Sequence, residues 1–206
     1  MKGLLKKDLL LATKTYKFIL IVCVVLFAVR FFAEEVSVAV LLPVMFAGML
    51  PTSLLAVDER DGWDRTAEML PVTRAQRVGA KFLLGFLFWA VMAALSLLVE
   101  AGASLVQGNF DGTTLLTMAA LFAVAGLACP AVTLTFGFRF GTEKARYLYF
   151  LLMAVIFAAG AAFFILPPEG FSFPWWGSAL TLLGAFAVYG LLYLLSAALY
   201  QKRELT

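Results

Sequence analysis

Fifteen of the sixteen Lys and Arg residues lie in four short segments that alternate with six long apolar runs, and only Arg30 falls elsewhere. The runs cover residues 18–33, 36–57, 82–106, 113–138, 147–166 and 175–200. A helix rising about 1.5 Å per residue needs about 20 residues to cross ~30 Å of hydrocarbon, so each run is near spanning length, and the first is short enough to borrow interfacial residues. Short loops rich in Lys and Arg stay on the cytoplasmic side, which puts the first tail, the second and fourth loops and the last tail inside. The alternation predicts an all-α integral membrane protein of six transmembrane helices with both termini cytoplasmic.

Composition excludes the soluble alternatives. Hydrophobic residues make up 63% of the chain, charged residues 14%, and mean hydropathy is +0.96. A net charge of +3 spread along the inner face is accounted for by anionic lipid, and gives no reason to invoke nucleic acid. Cys23 and Cys129 both fall inside predicted spans, which speaks against a disulfide framework. The longest stretch between spans, residues 58–81, is too short for a core of its own, so residues 1–206 are expected to form one membrane domain.

Residues 1–17 read as an amphipathic interfacial helix. Leu4, Leu5, Leu9, Leu11, Ala12 and Tyr16 gather on one side at 100° per residue, and Lys2, Lys6, Lys7, Lys14 and Lys17 on the other. A secretory leader is the competing reading of this start. No small-residue cleavage pattern precedes Glu34, and losing the first span would spoil the charge alternation.

Outer loops carry little signal: Glu34 and Glu35, then residues 107–112, then a stretch from Pro167 with Pro168, Pro174, Trp175 and Trp176, the two Trp read as interfacial anchors. Pro43 and Pro51 disturb the second span, through motion or static packing, and Gly48 between them would admit a neighbouring helix closely. Glu100 comes ~19 residues after Lys81 and so sits near the outer boundary, either reaching headgroups or lining a pathway.

The chemistry of a catalyst is missing. There is no histidine, which removes the commonest general base and metal ligand. No glycine-rich phosphate loop ending in Lys and Ser or Thr occurs, so any ATP and Mg used must be bound by another chain. Ser96 and Ser104 lack a basic partner at their depth.

The second loop, residues 58–81, is the richest segment. Trp63, Ala67 and Leu70 form a one-sided apolar stripe on a short charged helix that Pro71 ends, and Thr73 with Gln76 has capping-box spacing, so a new helix starts near Arg74. Such a helix can lie on headgroups or insert into a groove of another protein. Asp58, Glu59, Asp61, Asp64 and Glu68 outnumber Arg60 and Arg65, which suits an anionic leaflet poorly and favours a protein partner.

Asp58-Glu59, Trp63, Glu68-Met-Leu-Pro71-Val-Thr-Arg74 and the Lys81 that leads into a span resemble the loop between the second and third helices of export-type ABC permeases. The segment from Phe138 through Gly141, Glu143, Lys144 and Arg146 to Tyr147 is similar to the second inner loop of that group. The small six-helix permeases of the phenol-soluble-modulin exporter type match best in length and in the amphipathic leader. The resemblance implies a half-transporter of the bacterial plasma membrane that dimerises with a second copy or a sister permease. It further implies that Asp58, Glu59, Trp63, Ala67, Glu68, Leu70 and Pro71 dock as a coupling helix on a separate cytoplasmic ATP-binding-cassette ATPase. Gly141, Glu143, Lys144 and Arg146 would make a secondary contact or simply form a positive inner loop, and amphipathic or antimicrobial peptides would be the cargo. Two rivals are a six-helix substrate-capture component of a vitamin importer and an ATP-independent carrier, the second disfavoured by mid-span residues that are Leu, Ala, Phe and Val nearly throughout. A third is a structural role as an assembly or immunity partner.

Overall fold

The computed structural model describes residues 2–15, 17–32, 38–69, 73–165 and 174–201, all of whose regular elements are helical. Helices α1 (Lys2–Thr15) and α2 (Lys17–Phe32) precede α3 (Val38–Arg60), the short α4 (Trp63–Glu68) and the long α5 (Arg74–Gln107). Helices α6 (Gly112–Ala123) and α7 (Cys129–Phe140) are joined by a π-helical turn, Val124–Ala128, and α8 (Thr142–Ile165) and α9 (Trp175–Gln201) complete the chain. Over its described residues each expected apolar run is helical, the fourth as two helices joined by the π turn. Among the described residues four stretches, α3, α5, α6 through α7, and α9, are long and apolar enough to cross a membrane, and α1 with α2, bent by 65°, makes a fifth if counted as one broken span.

Helix boundaries follow local chemistry. Thr73 Oγ1 accepts from the Gln76 amide at 3.3 Å while Gln76 Oε1 accepts from the Thr73 amide at 3.1 Å, the capping box expected from their spacing. Gly62 and Gly108 close α3 and α5 with φ of 64° and 75°, where a side chain would be strained. Asp111 caps α6 through Thr113 and Thr114. These donors hold its carboxyl down at about 2.

α3 is the axis of the bundle: 61% of its spanning window is buried, against 11% for α9. Pro43 and Pro51 both lie inside it without ending it. A Cβ on Gly48 would stand 2.5 Å from Pro130 Cγ and 2.8 Å from the Gly126 carbonyl oxygen, so the expected close approach is made, by the π turn and α7. Gly126 reciprocates, since its own Cβ would meet Val44 Cγ1 at 2.5 Å and Trp89 Cδ1 at 2.7 Å. Beside that turn, the Trp89 indole donates to the Phe122 carbonyl at 2.9 Å, satisfying a polar group where the helical ladder changes register. Val40, Val44, Trp89, Phe122, Leu127 and Tyr149 are the centre of the apolar core.

The leader helix departs from the floating interfacial helix of the sequence reading. Ala12, with Leu5 and Leu11, packs on Leu50, Leu54 and Leu84 of α3 and α5, and Asp8 is only 2% exposed. Leu9 and Leu10 face outward. A buried carboxylate four residues before Ala12 ties α1 to its neighbours by charge as well as by apolar contact, a role the two-faced reading of α1 gave no place to. Glu34 and Glu35 of the expected first outer loop and residues 167–173 of the third lie outside the described residues, as do Tyr16 and the basic tail after Gln201.

Candidate functional site

Two ionic clusters lie at opposite ends of α5. Lys81 and Glu100 are separated by ~19 residues, about 28 Å of helix, close to the ~30 Å hydrocarbon thickness, so each cluster falls at a boundary where charge is least costly.

At the Lys81 end, Asp58 of α3 accepts from Lys7 at 2.6 Å and meets Lys81 at 2.7 Å, and Asp8 of α1 meets Lys81 at 3.0 Å and Lys7 at 3.4 Å. Two acids and two bases from α1, α3 and α5 therefore close a ring. Lys7 also stands 4.0 Å over the Trp63 ring, which adds α4 to the node. Arg77, one turn before Lys81, is buried with Nε and Nη1 lacking hydrogen-bond partners among the described residues. Leu4, Leu55, Trp63, Phe138 and Tyr200 line the small cleft it shares with the ring.

The neighbouring residue is turned the other way. Glu59 Oε2 accepts from the Thr142 amide at 2.9 Å and from its hydroxyl at 2.5 Å, capping the first turn of α8 from a helix 83 positions earlier. Gly141, at φ 95°, makes the sharp entry into that turn, and its Cβ would stand 3.3 Å from Glu59 Oε1. The end of α3 and the turn between α7 and α8 are thus one structure: Asp58 fastens the first to α1 and α5, and Glu59 fastens it to the second.

Of the residues expected to face a partner, Asp58 and Ala67 are buried and Trp63 is half-buried. Leu70 and Pro71 lie outside the described residues, and the Glu68 side chain is likewise not described. Met69, at the end of α4, is an apolar side chain 85% exposed, its amide donating to the Thr66 carbonyl at 3.2 Å. The sequence reading missed Met69 because it falls off the Trp63 stripe. In the second loop, Glu143, Lys144 and Arg146 are exposed. Arg146 with Arg60 lines a cleft on the flank of α3 that is separate from the Arg77 cleft.

At the far end, Arg30 and Glu100 find each other. Nε and Nη2 of Arg30 donate to the two carboxylate oxygens of Glu100 at 2.8 Å each, and Nη1 donates to Gln107 at 3.4 Å. Both side chains are almost fully buried, at 5% and 6% exposure. Glu100 therefore neither reaches headgroups nor stands open to a pathway in this conformation; it clamps α5 to α2. Arg30, the one basic residue outside the four basic segments, is the partner that sequence reasoning left unassigned. Each being a lone charge in the outer half of an apolar run was the signal that could have paired them.

A family model described as ABC-2 family transporter protein matches residues 3–202, and the chain belongs to that family. It is accordingly a multi-pass membrane protein, the permease component of an ABC transporter, a class that works with an ABC ATPase subunit. No curated protein and no solved structure matches the chain.

Proposed function

We propose that this ABC-2 permease is the membrane half of an exporter in a bacterial plasma membrane, threaded six times with both ends cytoplasmic, and driven by an ATPase that docks on residues 58–81. The observation that carries the reading is the convergence of four helices on that loop: the Lys7, Asp8, Asp58 and Lys81 ring joins α1, α3 and α5, and Glu59 joins α8. A push on α4 would reach all four through short charged contacts of low compliance. In this reading α4 offers Met69, with Glu68, Leu70 and Pro71 beside it, to a groove of the ATPase, while Trp63 and Ala67 seat the helix on the bundle and Asp58 and Glu59 position it. Gly141, Glu143, Lys144 and Arg146 form the second contact. ATP and Mg are held by the ATPase, and ATP-driven closure pulls the loop and rearranges the bundle against a second permease, either an identical copy or a sister chain. The exposed Leu180, Leu183, Leu191, Leu194 and Leu195 of α9 suit lipid or such a partner. Glu100 serves as the acid that holds the outer ends of α2 and α5 together. The resemblance to phenol-soluble-modulin exporters supports amphipathic or antimicrobial peptides as cargo.

Co-purification with the cognate ATPase, followed by ATP turnover, tests this. Met69→Glu places a charge in an apolar contact and is expected to weaken association by about 2 kcal/mol, roughly thirtyfold, with helicity unchanged. Trp63→Ala loosens the seat of α4 and is expected to lower permease-stimulated turnover with association retained. Unaltered association and turnover in both variants would overturn the docking role.

A further inference from the structure

On the flank of α3 opposite the ionic ring, a cleft of about 390 Å³ runs between α2 and α8 and is lined by Ile19, Phe46, Met49, Val57, Arg60 and Arg146. It continues at Ala56, Arg60 and Arg146 into a second hollow of about 480 Å³ that adds Glu59, Lys144 and Glu143. The residues separate by chemistry along α3. Phe46 and Met49 stand at the apolar end; Arg60, ~14 residues later, stands about 21 Å away at the charged end. That length exceeds the ~15 Å of hydrocarbon in one leaflet, so the cleft reaches from a headgroup level into the tail region.

We propose that this cleft binds an anionic phospholipid of the leaflet that meets the α3–α4 end. Its phosphate lies between Arg60 and Arg146 and one acyl chain lies along Ile19, Phe46 and Met49. Charge favours it. Three bases and two acids line the polar hollow, a surplus of one positive charge against the single negative charge of a phosphodiester; Glu59 is held by Thr142, and Arg60 meets Asp61 at 3.3 Å in an exposed pair that a phosphate can displace. Arg146 makes no ion pair with any described residue, while its four-residue spacing from the capped Thr142 puts both on the face of α8 that looks into the cleft. A free anion would use the two arginines and leave the apolar end uncovered; the lipid satisfies both ends at once. The assignment does not depend on which side of the membrane the loop occupies.

The full chain, purified in a neutral detergent and given phosphatidylglycerol, phosphatidylcholine or inorganic phosphate, is weighed by native mass spectrometry. One phosphatidylglycerol per chain is expected to be retained, with phosphatidylcholine lost. Arg60→Gln with Arg146→Gln is expected to weaken retention about thirtyfold, from roughly 1 kcal/mol per basic residue, whereas Arg139→Gln, a base outside the cleft, leaves it unchanged. Ala56→Phe fills the waist of the cleft and is expected to abolish retention with both arginines in place. Circular dichroism melts of each variant confirm that it is folded. Equal retention of phosphatidylcholine, displacement of the lipid by inorganic phosphate, indifference to the double Arg variant, or an efficient cross-link between two copies through Ser53→Cys, Ser53 being a residue that lines the cleft, would each overturn the proposal.

Discussion

Replacing Glu100 with Leu removes the carboxylate and leaves Arg30 buried at 5% exposure without its paired anion, with Gln107 at 3.4 Å to accept from it. Breaking a buried pair from one side costs about 3–5 kcal/mol. The cost here is smaller, because Arg30 is near the outer boundary and its long side chain can extend toward headgroups, so about 2–3 kcal/mol is expected. Arg30→Met strands Glu100 in the same way and is expected to cost a similar amount. The double variant restores an apolar contact of comparable volume between α2 and α5 and should return to within about 1 kcal/mol of the parent. The coupling energy of the cycle is then at least about 3 kcal/mol. Equilibrium unfolding in mixed micelles, followed by far-ultraviolet dichroism, measures all four proteins. Costs that simply add, with coupling below about 0.5 kcal/mol, would refute the idea that these two charges stabilise each other.

Gly48→Ala puts a methyl group against Pro130 and a backbone carbonyl that cannot move aside, and is expected to lower stability by about 1–3 kcal/mol, read as a reduced melting temperature. Glu59→Ala uncaps α8 and should cost about 1 kcal/mol, with faster amide hydrogen exchange confined to Thr142–Ala145. Asp111 has its carboxyl lowered from 3.8 to about 2 by bonds from Thr113 and Thr114, so its capping contribution is complete above about pH 4 and is lost as pH falls toward 2. Hydrogen exchange in the first turn of α6 should be insensitive to this group at neutral pH and should accelerate only in that acid window, with the acceleration absent in Asp111→Ala.

Much of the architecture was legible because it follows from local rules. Apolar length placed the helices, Thr73 and Gln76 announced the start of α5, and Gly48 between two prolines marked the close approach at the centre. What periodicity could not supply was rotation about each helix axis and partnership across long separations. Asp8 drew no reading and Asp58 was read as facing a partner, yet both turn inward, where Lys81 and Lys7 meet them. The loop residues 58–81 were singled out as the site, but Asp58, Glu59 and Trp63 prove to anchor the loop, leaving Met69 as its exposed apolar side chain. The π turn also escaped notice, since its register change is a response to packing between α3 and Trp89 that no single segment encodes.

The orientation and reach of α4 decide the account. With Met69→Cys in cells that also express the ATPase, a membrane-impermeant maleimide should fail to label the intact cell and should label inverted vesicles. A short bifunctional cross-linker should then join residue 69 to the ATPase. Cys23 is buried and Cys129 half-buried within the bundle, so neither should compete for the reagent. Labelling of residue 69 from the outside of intact cells would contradict the central claim.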